Sequence, residues 1–100
     1  MKDITKFETR DDGLYIGGKK VLAGWESFTG WFWFGTERSH TQDSYLNEKV
    51  SIKDDQIWFG FVQGLDSEWG YFSQGEIEAL GPLKVWKIKD VDLPHAGRRQ

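Results

Sequence analysis

Two stretches of this chain are apolar on both sides of a strand, and such a strand must be covered twice. Along residues 56–63, Ile57, Phe59 and Phe61 alternate with Trp58, Gly60 and Val62. Along residues 31–38, Trp31, Trp33 and Gly35 share one parity, and Phe32, Phe34 and Thr36 share the other. Successive strand side chains point to opposite faces, and aromatic residues suit a pleated surface. Both stretches are therefore expected as central strands. Gly35 and Gly60 have no side chain to pack. A glycine inside a strand marks a bulge, a bend or a large ring lying over the backbone, so a Trp is expected over at least one of them.

The remaining elements follow from local pattern. Leu14-Tyr15-Ile16, then Gly17-Gly18-Lys19-Lys20, then Val21-Leu22 read as a tight hairpin, because paired glycines supply positive φ angles. Residues 23–30 read as a connection anchored by Trp25 and Phe28, and residues 39–44 as a loop. Leu46, Val50 and Ile52 share one parity, which predicts a half-buried strand over 46–53. Asp54-Asp55 then reads as a turn, making 46–63 a hairpin. Ser73 with Glu76 three residues on forms a capping box, with Phe72 and Ile77 as a hydrophobic staple. Gly81-Pro82 stops that helix, which is expected over 74–80 with Ile77 and Leu80 facing the core. Residues 83–89 read as a last strand. The expected fold class is α+β: a strongly twisted, mainly antiparallel sheet of five or six strands, with one short helix packed on it. A single domain is expected over 1–93, followed by a loose basic tail over 94–100.

Composition narrows the class of function. The chain has 16 aromatic residues in every 100, six of them Trp, and no Cys. That leaves no disulfide, no thiolate metal site and no Cys nucleophile. The first six residues lack the apolar run of a signal peptide, and no apolar run is long enough to span a bilayer. A cytoplasmic protein with no membrane contact is the expectation. Net charge is −3, which disfavours general nucleic-acid binding. No Lys or Arg occurs between Lys53 and Lys84, a window holding Asp54, Asp55, Asp66, Glu68, Glu76 and Glu78. Basic residues follow at Lys84, Lys87, Lys89, Arg98 and Arg99, the last two forming a possible basic arm.

No motif demands catalysis or a cofactor. His40 and His95 lie in expected loop and tail, without the neighbours that hold a catalytic base. Asp66 and Glu68 flank a turn, where a carboxylate bonds its own backbone or water. Asp11-Asp12-Gly13 and Asp54-Asp55 lack the alternating spacing of a calcium loop. Gly17-Gly18-Lys19-Lys20 lacks the following helix of a phosphate loop. The aromatic surplus is the signal left over. Either the sheet curls so that one face closes on itself, or some rings stay at the surface and mark a binding site. Trp31, Trp33, Trp58 and Trp69, with Glu68 beside them, are the candidate binding residues. The expected function is a non-enzymatic protein-interaction module with an unidentified protein partner. Two alternatives remain. One is single-stranded nucleic-acid binding, with bases stacked on exposed rings and phosphates on Lys84, Lys87, Lys89, Arg98 and Arg99. The other is a small-ligand pocket or enzyme.

The motif order adds context. Trp31-Phe32-Trp33-Phe34-Gly35-Thr36-Glu37 is followed by Phe59-Gly60-Phe61-Val62-Gln63-Gly64-Leu65. Asp66-Ser67-Glu68 comes next, then Gly70-Tyr71-Phe72-Ser73, then Gly75-Glu76-Ile77-Glu78-Ala79-Leu80. Over roughly residues 30–81 this resembles a domain-of-unknown-function family of small proteins carried by bacterial plasmids and phage-like mobile elements. The resemblance implies a bacterial or phage cytosol and an accessory role. It carries no activity and no functional residues.

Overall fold

A computed structural model describes residues 3–97. Strands β1 (Phe7–Arg10), β2 (Gly13–Ile16) and β3 (Lys19–Lys20) form a small sheet in that order. Strands β4 (Ala23–Ser27), β5 (Phe32–Tyr45), β6 (Ser51–Gln63), β7 (Ser67–Ser73) and β8 (Val85–Lys87) form a second sheet, ordered β7-β6-β5-β4-β8. Every pairing is antiparallel. Helix α1 (Gln74–Glu78) lies between β7 and β8, and a 3-10 turn spans Leu93–His95. The chain is thus mostly antiparallel sheet with one short helix, but in two open sheets rather than one sheet of five or six strands.

The doubly apolar strands are central, as their composition requires, and each face is covered differently. On one face Phe32, Phe34 and Phe61 pack against Leu14, Ile16 and Val21 of the small sheet and against Ile88 and Leu93. On the other, Trp25, Trp58 and Phe72 pack with Ile77 of α1 and with Val85. Neither sheet curls shut. The N-terminal sheet takes up apolar surface that closure would otherwise have hidden. This cover was not expected, because β1 and β3 carry few of the alternating apolar residues that identify strands.

The Gly17-Gly18 hairpin forms, with φ of 59° and 84° at the two glycines. The Ser73 cap also forms: its hydroxyl accepts from the Glu76 amide at 3.0 Å. Phe72 and Ile77 share one cluster, as the staple requires. The helix stops at Glu78, shorter than expected, and Leu80 is 56 % exposed rather than in the core. A Trp does lie over a strand glycine. A Cβ at Gly35 would fall 2.4 Å from the Trp58 ring.

The expected 46–63 hairpin does not form; one long hairpin joins the two aromatic strands directly. Residues 39–44 continue β5 instead of looping, and the turn lies at 46–50. Asn47 makes that turn, its side-chain oxygen accepting from the amides of Lys49 and Val50. Leu46 and Val50 are consequently exposed, not half-buried. Asp54-Asp55 sits within β6, where Asp54 takes a positive φ of 53°. β-Bulges, with an extra residue on one strand, accommodate such irregular register, and the β5–β6 pairing shifts three times. Residues 94–97, expected in the tail, pack against the sheet. A Cβ at Gly97 would meet the Phe34 ring at 2.7 Å. Arg98 and Arg99 lie outside the described residues. Among the described residues, no helix is long and apolar enough to cross a membrane.

Candidate functional site

Strand parity separates the residues that the sequence grouped together. β6 and β7 pair with Phe61 opposite Trp69, Phe59 opposite Tyr71, and Val62 opposite Glu68. Trp69 therefore shares a face with Phe59, Phe61 and Tyr71, beside the small sheet. Glu68 points to the opposite face, in one row with Val62 and Trp33. Trp58 must be withdrawn from any exposed patch. It is 3 % exposed, and its indole N–H donates to Gln74 Oε1 at 2.9 Å. Its ring carries Arg38, whose guanidinium lies 5.0 Å from the centroid. Trp31 and Trp33 are half-buried and tilted against each other at 5.9 Å, with Trp31 lying over Gly64.

The exposed aromatic surface forms at the β6–β7 corner, past the margin of the small sheet. Phe59 and Trp69 stack at 6.1 Å, and Tyr71 meets Phe59 edge-on at 5.1 Å. Tyr71 is 68 % exposed. The Trp69 indole N–H donates to the Ile4 carbonyl at 3.1 Å, which fixes the ring's orientation. Ile4, Gly17 and Lys19 complete a hollow of about 260 Å³ beside Phe59 and Trp69. The Lys19 ammonium stands 5.9 Å from both ring centroids, near the outer limit of an ammonium–aromatic attraction. Glu37, opposite Phe59 in β5, is exposed on the far side. The rings thus form a shelf with one cation and one carboxylate at its margins. Tyr71 and Phe59 are not among the sequence candidates: the sequence shows a turn at Asp66 and Glu68 and a helix cap at Ser73 with no strand between them, and Phe59 looks like core in a doubly apolar strand. The alternation of Trp69 and Tyr71 with Glu68, Gly70 and Phe72 was the available strand signal.

The acidic window is also divided. Asp55 is buried, and its carboxylate accepts from Ser44 Oγ at 2.6 Å, from the Gly75 amide at 2.7 Å and from Ser73 Oγ. Burial pushes this carboxyl up, but the bonds from Ser44, Ser73 and Gly75 outweigh it and hold the group below its ordinary range. Asp55 is therefore a joint between β6, the end of β7 and the start of α1. Glu78 accepts from the Trp25 indole at 3.1 Å. Asp54, Asp66, Glu68 and Glu76 remain exposed.

Two hollows lie towards the opposite edge of the sheet, by β4 and β8. One of about 330 Å³ is lined by residues that include Glu26, Asp92 and His95, so His95 is part of a wall rather than of a free tail. Nearby, the buried Oε1 of Gln63 has no hydrogen-bond partner among the described residues. The other, about 320 Å³, lies beside Trp86, Lys87 and Lys89, with Glu26 and Asp92 on its wall. Trp86 is 39 % exposed. No group of three or more His, Asp or Glu among the described residues is arranged to hold a metal ion. No protein-family model matches the chain, and no curated protein or solved structure is significantly similar to it.

Proposed function

We propose that this chain is a small non-enzymatic protein-binding module whose contact surface is the Phe59–Trp69–Tyr71 shelf. The observation that carries the reading is the stack itself: three rings gathered at an uncovered corner of the sheet, one of them largely exposed. Aromatic side chains dominate the energetics of protein contacts because they bury large areas with little entropy loss. The partner this surface suits is a protein that lays apolar side chains across the rings. Lys19 and Glu37 at the two margins would orient it, and Asp66 adds acidity at the β6–β7 turn.

The test is recovery of tagged protein from its own host cells, comparing Tyr71→Ala with Trp86→Ala. Both side chains are exposed, so neither change should unfold the domain. The reading expects at least one protein that Tyr71→Ala loses and Trp86→Ala keeps. Identical recovery with both variants overturns it.

A second reading has one observation in its favour. Trp86 precedes Lys87 on β8, with Lys84 and Lys89 flanking the strand, the combination of stacking ring and cations that suits single-stranded nucleic acid. Glu26 and Asp92 in the same hollow would repel phosphates. Binding of an oligonucleotide at low salt that weakens with added salt and is lost in Trp86→Ala would favour this reading over the first.

A further inference from the structure

We infer that β7 is an unguarded sheet edge that pairs antiparallel with β7 of a second copy of this chain, centred on Gly70. This rests on the reading above only in that the same corner carries both surfaces. The shelf uses ring faces, and the seam uses the backbone edge.

Three observations support the pairing. First, β7 is the outermost strand, and no backbone hydrogen bond joins its outer side to any described residue. Such a row of free N–H and C=O groups is a template for another strand, which proteins usually block with Lys, Pro or a bulge. Ser67–Ser73 contains neither Lys nor Pro, and its pairing with β6 runs without a register shift.

Second, Gly70 has no reason to be glycine in a single copy. Every other described glycine either takes a positive φ or has atoms where a Cβ would sit. Gly70 has neither: its φ is not positive and the space beside it is open. A glycine inside a strand marks a place where another backbone or a large group approaches. Gly70 also ends a cross-strand row, Gly35–Gly60–Gly70, which a second copy would continue.

Third, the sequence about Gly70 is self-complementary. Antiparallel pairing centred there sets Trp69 of each copy opposite Tyr71 of the other, and cross-strand aromatic pairs stabilise a sheet. Glu68 of each copy falls opposite Phe72 of the other, so no carboxylate faces a carboxylate. The two shelves then join into one surface of six rings.

The test is sedimentation equilibrium of the intact protein from micromolar to millimolar concentration, with hydrogen exchange of the β7 amides at both ends of the range. A dimer is expected, with β7 amides protected at high concentration and β8 amides unchanged. Tyr71→Lys puts a cation at both aromatic pairs and should weaken the dimer about tenfold or more. Trp86→Lys on the other edge should leave it unchanged. Circular dichroism of Tyr71→Lys at low concentration separates lost pairing from lost folding. If that variant does not fold, the β7 amides of the unmodified protein decide the matter. A monomer throughout, or a dimer that Trp86→Lys dissociates while β7 exchange stays constant, overturns the inference. The two proposals fail separately. A monomer whose host partner is still lost in Tyr71→Ala removes the seam and leaves the shelf. A β7 dimer with no partner sensitive to Tyr71→Ala removes the shelf and leaves the seam.

Discussion

Strands β8 and β7 end the same sheet on opposite sides and are built by different rules. β8 is three residues long, with Lys87 in it, Lys84 and Lys89 flanking it and Pro82 shortly before. Short length and lysines discourage a further strand from adding. β7 is seven residues long, pairs in unbroken register, and contains no cation or proline. The stretch without Lys or Arg between Lys53 and Lys84 looks in the sequence like an acidic face. In the fold, part of that acidity is internal at Asp55, Glu78 is engaged by the Trp25 indole, and the missing lysines leave one edge without its usual protection. A gap in one residue type can thus matter more for what it fails to block than for the charge it leaves.

The largest expected contrast between the edges is in packing. Phe72 on β7 is buried against Trp25 at 5.8 Å, whereas Trp86 on β8 is 39 % exposed. Phe72→Ala should cost about 3–5 kcal/mol in urea unfolding. Trp86→Ala, at a partly covered position, should cost only about 1 kcal/mol. Equal losses would mean that β8 is held as firmly as β7.

A smaller effect is expected at the joint that ties β7 to β6 and α1. Asp55→Asn keeps the shape but cannot accept all three donors, and should cost about 1.5–3 kcal/mol. The sign of the pH effect follows from the direction of the shift. The folded carboxyl is held below its unfolded value of 3.8. Its stabilisation is therefore complete above that value and fades as pH falls through the folded pKa. Unfolding curves from neutral pH downward should show an acid-side loss that Asp55→Asn reduces. An unchanged acid limb would assign the loss to other carboxylates.

The smallest expected effect has the opposite sign. Gly70→Ala should raise the stability of the monomer at low concentration by about 0.4–1 kcal/mol, because the unfolded chain loses freedom and nothing occupies the space a methyl would take. A loss instead would show a constraint at Gly70 within the single copy.

Turn and cap chemistry was legible because it acts within a few residues. Gly17-Gly18 takes the φ angles its hairpin needs, and Ser73 caps the helix, without help from distant parts of the chain. Aromatic alternation likewise marked residues 31–38 and 56–63 as central strands, and β5 and β6 do lie inside the sheet. The errors came where a partner strand overrides local preference. Residues 39–44 are polar and have no strand pattern, yet β6 supplies the ladder that extends them. Ser67–Ser73 lies between an expected turn at Asp66 and Glu68 and the Ser73 cap, and its strand character depends on pairing with β6. The candidate site suffered for the same reason. Adjacent residues such as Glu68 and Trp69 look like one patch in a list, but a strand sends them to opposite faces.

By itself, the order of residues determined that this chain must bury two aromatic strands on both sides, where its tightest turn falls and how its helix begins. Periodicity and local hydrogen bonding are enough for that. Which rings are sealed and which are shown was decided only in three dimensions. Trp58 is hidden by α1 and its neighbours, while Phe59, next to it in sequence, faces the shelf because the small N-terminal sheet stops short of it. Burial depends on what a distant segment covers, and no local pattern carries that distance.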